Sequence, residues 1–143
     1  PYMLAAIIVG CLVSAQPPMN AILSRAIGSA YGATAISVFI ALCCALALLA
    51  VAGRGDISRE TLSTVPWWVY LAGAAGAIFV ASGVVIAPVT GALLFFVCIV
   101  AGQLLGSTIA DHFGAFGLQV REISYQRAAG LCLVLAGAVL VNR

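Results

Sequence analysis

The sequence predicts an all-α integral membrane protein with five transmembrane helices, and three observations carry that prediction. Residues 61–110 form a run of 50 without one charged side chain. Two more charge-free runs precede it, residues 1–24 and 26–53. Only 7% of the 143 residues are charged, against 64% hydrophobic. A helix needs about 20 apolar residues to cross the hydrocarbon core, and a charge at its centre costs at least ~2.5 kcal/mol. Soluble domains carry roughly 25% charged residues, so a water-soluble fold is excluded.

The first span is expected at residues 2–27, bent or broken at Pro17-Pro18. Two adjacent prolines remove two backbone donors and push the preceding residue away from helical geometry. Pro1 as first residue implies that the initiator methionine is absent here. No basic segment or small-residue cleavage site accompanies the first apolar run, so it reads as a span rather than a signal peptide. Gly28 to Gly32 is expected as a turn, and the second span at residues 33–52. An aqueous loop follows, with Arg54, Asp56, Arg59 and Glu60. Pro66 is placed in the first turn of the third span, 66–86, where its missing N–H costs nothing. Trp67, Trp68 and Tyr70 form an interfacial aromatic belt there.

Ala87-Pro88 is read as a tight turn before the fourth span, 89–110. Asp111-His112-Phe113-Gly114 stops that span, and a loop leads to the fifth, 125–141. Arg127 at its start reaches toward the interface. The whole of 1–143 is read as a single transmembrane domain. Arg54, Arg59, Arg121 and Arg127 fall on one side, and Arg25 and Arg143 on the other. The positive-inside rule puts the first group in the cytoplasm. The bias is small enough for two copies to insert in opposite senses and pair head-to-tail.

Lipid gives helices no hydrophobic reason to associate, so small residues must let them approach. Gly102 and Gly106 form a G-x-x-x-G pair, read as packing within the protomer ahead of a dimer contact. The short fifth span, with Gly130, Leu133 and Gly137, is assigned to a subunit interface.

Polar groups inside spans are costly and mark function. Gln16, Asn20 and Ser24 recur every fourth residue, and so do Gln103, Ser107 and Asp111. Each set makes a stripe along a helix. Amides offer both donors and acceptors, so Gln16, Asn20, Gln103 and Ser107 are the candidate substrate-binding residues. Asp111, His112 and Trp67 are assigned to the mouth or gate, with interfacial anchoring as the plainer reading. No acid lies at mid-span, so a central proton-relay carboxylate has no candidate.

The five cysteines lie in apolar runs without C-x-x-C spacing and read as packing residues, not metal ligands. With one histidine, no catalytic triad or histidine metal set assembles, so neither an enzyme nor a metal or other cofactor is expected. No basic patch suits nucleic acid. A non-transporting membrane subunit and a small channel are the alternatives to a transporter.

Several segments together resemble a known family. They are Gln16 with Asn20, Pro66-Trp67-Trp68, residues 87–92, Gly102-Gln103-Leu104 leading to Asp111-His112-Phe113-Gly114, and residues 130–140. The chain looks like the YdcZ-type family of the bacterial drug/metabolite transporter superfamily. The resemblance implies a five-span inner-membrane exporter, and the two polar stripes are read as a midplane site for small organic molecules worked by alternating access. It also implies similarity to small multidrug resistance proteins, which are antiparallel dimers with a dimerising last helix. Those relatives exchange protons on a first-helix glutamate, a position where this chain offers only Gln16 and Asn20. A homodimer, or a heterodimer with a homologue, is the expected partner arrangement.

Overall fold

The computed structural model describes residues 2–53 and 55–141. Pro1, Arg54 and Arg143, which entered the readings above, lie outside the described residues. Every regular element among the described residues is helical. Four helical stretches have the length and apolarity to cross a membrane: Tyr2–Ile27, Ala30–Ala52, Trp67–Thr90 and Ala92–Phe113. A shorter apolar helix, Tyr125–Leu140, follows. The chain divides into two compact units, Pro1–Val89 and Thr90–Arg143.

In the first unit, α1 (Tyr2–Ser14) is apolar all round and buries none of its residues, as suits a helix bathed in lipid. The expected break is present, at Ala15, two residues before the prolines. Helix α2 (Gln16–Ile27) starts there, with Pro17 and Pro18 in its first turn. The prolines cannot supply the N–H groups that would bond the carbonyls of Val13 and Ser14, so the ladder lapses between the helices. Ala15 instead donates to Leu12 O at 3.2 Å, a tighter three-residue turn.

The turn after α2 is shorter than expected. Gly28 adopts a left-handed φ of 70°, and its N–H donates to Ser24 O. Ser29 then caps α3 (Ala30–Ala52), its side chain accepting from Gly32 N at 3.0 Å. Tyr31 and Gly32 are therefore helical, because a serine cap satisfies the exposed donors three residues early.

Helix α2 packs on α3 through one face of each. Pro17, Asn20 and Ala21 are buried on α2, and Ala33 is fully buried on α3. Ala30, Ala33, Ser37 and Ala41 share a face at helical spacing, and their small side chains let the backbones approach.

The loop after α3 carries helix α4 (Arg59–Thr64), capped by Ser58, whose Oγ accepts from Thr61 N at 3.2 Å. Asp56 accepts from Thr61 Oγ1 and from Ser58 N, and these bonds hold its carboxyl below the usual aspartate range. Pro66 precedes a 3₁₀ turn, Trp67–Tyr70, one position earlier than expected. Tyr70 OH donates to Leu62 O at 2.9 Å and ties this turn to α4.

Helix α5 (Leu71–Thr90) runs through Ala87-Pro88, where a turn was expected. Pro88 forfeits only the bond to Val84 O, which a helix tolerates near its end. The turn falls at Gly91, whose φ of 85° only glycine adopts readily.

In the second unit, α6 (Ala92–Phe113) keeps Asp111 and His112 in its last turn, so they do not stop the helix. Gly114 does, at φ 60°, donating to the carbonyls of Ala110 and Asp111. A Cβ on Gly114 would sit 2.8 Å from Val120 Cγ2 and 3.1 Å from Leu118 O, because the loop folds back over it. Arg121 N closes that fold by donating to Asp111 O at 2.8 Å.

Helix α7 (Tyr125–Val141) returns along α6. Gly102 and Gly106, expected to pack within the protomer, are exposed, and a Cβ on either would meet nothing within 4 Å. The reason is rotational: Leu104, Ser107, Thr108 and Asp111 line the side toward α7. Gly102 lies two residues before Leu104, hence about 200° round the helix.

Candidate functional site

Each unit contains a cleft lined by residues of the predicted stripes. The first, about 330 Å³, lies among α1, α2 and α3 and brings Gln16 and Asn20 together with Ser37. Leu12, Met19, Leu23, Ile40 and Ala41 complete its lining, and no charged side chain takes part. Asn20 is only 8% exposed. Its Nδ2 donates to Ser37 Oγ at 3.2 Å, joining α2 to α3. Its Oδ1 has no partner among the described residues, and neither does the Gln16 amide.

The depth of this cleft follows from helix rise. Asn20 precedes Gly28 by eight residues and Ser37 follows Ser29 by eight, which at 1.5 Å per residue puts both about 12 Å from the turn.

The second cleft, about 420 Å³, lies between α6 and α7. It brings Ser107 and Asp111 together with Thr108, Arg127, Gly130, Leu131 and Val134. Arg127 Nη1 lies 3.6 Å from Asp111 Oδ2, with the side chains 39% and 32% exposed. At that distance and exposure the pair is a weak, solvated attraction worth at most about 1 kcal/mol. The hydroxyls of Ser107 and Thr108 both donate to Leu104 O, at 3.1 and 2.7 Å. Their protons are therefore spent on the helix, and only their lone pairs face the cleft.

The remaining candidates are scattered. Gln103 is exposed and lines neither cleft. Trp67 is 75% exposed. His112 meets the edge of Phe113 with ring centroids 5.0 Å apart, and its Nδ1 is buried without a hydrogen-bond partner. Gly130 faces α6, whereas Leu133 is 73% exposed.

Sequence reasoning missed Ser37 and the partnership of Arg127 with Asp111. The signal for Ser37 was available: it is a polar residue on the small-residue face Ala30, Ala33, Ser37 and Ala41.

Residues 1–140 match the family described as "Putative inner membrane exporter, YdcZ". The inner membrane protein YdcZ of Escherichia coli (strain K12) is 32% identical over 84 residues, 59% of this chain. That match spans 56% of the relative, so little more than half of its length is covered. No solved structure matches.

Proposed function

The chain belongs to the YdcZ family of the drug/metabolite transporter superfamily and is a multi-pass protein of the bacterial inner membrane, and from that premise we propose that it exports small organic molecules. The solute binds in the cleft among α1, α2 and α3, at Gln16, Asn20 and Ser37. Within the second unit, Ser107 of α6 offers a polar contact in the α6–α7 cleft, and Gln103 one on the open face of the same helix. Asp111 and His112 act as a gate at the end of α6 in the second unit, and Trp67 acts at the end of its own span in the first.

One observation carries the reading: a nine-tenths-buried Asn20 leaves its Oδ1 without a partner beside a cleft of about 330 Å³. An acceptor left without a hydrogen bond in lipid is costly, and a bound solute offsets that cost. Ligand pockets run about 300–1,000 Å³ with a few convergent polar groups, and this cleft has that form. The α1–α2 break lies one residue before Gln16 of this cleft, and discontinuous helices build transporter sites in the same way. It gives α1 a hinge on which the cleft opens to alternate sides. The working unit is a dimer of this chain or of a homologous pair, contacting through α7 at Gly130, Leu133 and Gly137. Leu133 is the residue of the three most clearly turned outward.

The test is a ligand screen on the purified protein, reading thermal stability. A ligand that binds only the folded state stabilises by RT ln(1 + [L]/Kd), about 2.7 kcal/mol at a hundredfold excess over Kd. A ligand whose effect disappears in Asn20→Ala supports the reading. Ligands that stabilise Asn20→Ala as well as wild type place the site elsewhere.

A further inference from the structure

Resting on that reading, we propose that the α1–α2–α3 cleft selects uncharged amphiphiles, small apolar bodies carrying a hydroxyl or primary amide, and rejects organic cations and anions. Its hydrogen-bonding pattern is unusually definite. One N–H of Asn20 Nδ2 goes to Ser37 Oγ, which leaves its second N–H as a donor and Oδ1 as a spare acceptor. The Ser37 hydroxyl makes no other bond among the described residues, so its proton is a spare donor toward the same space. The Gln16 amide, equally unengaged, offers one of each. A hydroxyl or a primary amide donates and accepts at once, and so complements a spare acceptor beside a spare donor.

Charge is what the cleft does not provide for. No acid or base lines it, and its other walls include Met19, Leu23 and Ile40. A charged solute within the membrane loses its water shell and finds no counter-charge, so neutral dipoles alone do not compensate. The volume of about 330 Å³ lies at the small end for ligand pockets, which limits the apolar body to about one ring. Met19 makes that wall adaptable in shape, so selection falls on charge and hydrogen bonding more than on outline.

The experiment uses three probes of one size and three charges: benzamide, benzamidinium and benzoate. Binding to the full chain in lipid nanodiscs is read by thermal stability in wild type, Asn20→Asp, Asn20→Ala and Ser37→Ala. Wild type is expected to bind benzamide at least tenfold more tightly than either ion. Asn20→Asp places a carboxylate in the cleft and is expected to reverse the order in favour of the cation. Ser37→Ala, a mild change, is expected to weaken benzamide severalfold while keeping the order. A wild type that prefers the cation or the anion, with that binding lost in Asn20→Ala, overturns the charge selection but leaves the cleft as the site. Probe binding that is indifferent to Asn20→Ala and Ser37→Ala overturns the cleft itself, and the selection with it.

Discussion

Asn20 of α2 donates to Ser37 of α3 at 3.2 Å, and this side-chain bond joins the two helices. It has a structural and a functional side, which different measurements separate. Interhelical hydrogen bonds in membrane proteins average about 0.6 kcal/mol and reach about 1.7. Ser37→Ala and Asn20→Ala are each expected to lower unfolding stability by about 1 kcal/mol, with a coupling of about 0.6 kcal/mol in the double-mutant cycle. Solute binding is expected to fall further in Asn20→Ala, which removes the spare acceptor. Equal binding losses in the two variants contradict that division.

Gly114 and Gly102 make a matched pair. Gly114→Ala imposes a Cβ at φ 60° and 2.8 Å from Val120 Cγ2. A left-handed residue alone costs roughly 1–2 kcal/mol, and the clash adds to it. Gly102→Ala meets open space. Thermal unfolding in detergent is expected to show a marked loss for the first and little change for the second. The reverse order contradicts the described loop.

The cap around Asp56 predicts an acid-sensitive loop. Hydrogen bonds from Thr61 and Ser58 depress its folded pKa below the unfolded value. A depressed carboxylate contributes stability that is present above the ordinary aspartate pKa and lost as pH falls through the depressed value. Carbon-detected NMR titration is expected to show a low Asp56 midpoint, rising toward the ordinary range in Thr61→Ala. An unchanged midpoint in that variant removes the assigned cause.

Asp111 and Arg127 are expected to govern movement more than affinity. Their 3.6 Å contact is weak enough to break and re-form during transport. Asp111→Asn is expected to slow turnover severalfold while solute Kd stays within twofold. A lost affinity at unchanged turnover makes Asp111 a binding residue instead.

Much of the fold was legible because charge-free runs leave a chain few alternatives in lipid. Helix ends were less so. Pro88 signals a turn by itself, yet α5 continues to Thr90 because glycine at 91 takes the positive φ. At the candidate site, Gln16 and Asn20 stand out as amides in an apolar run. Ser37 does not, since a helical serine usually bonds its own backbone. The Arg127 contact depends on the register of α7 against α6, and a periodic stripe carries no information about that register. The same limitation affects Gln103. It shares a face with Ser107 but lies one turn nearer the start of α6, beyond the lining of the cleft with α7.

The most direct measurement is solute flux. Proteoliposomes holding wild type or Asn20→Ala would be loaded with a solute that stabilises the purified protein, and its exit followed. The account predicts saturable flux from wild type and at least a tenfold loss in Asn20→Ala at equal protein content. Equal flux from the two, or flux from wild type no faster than leakage from protein-free vesicles, would contradict it.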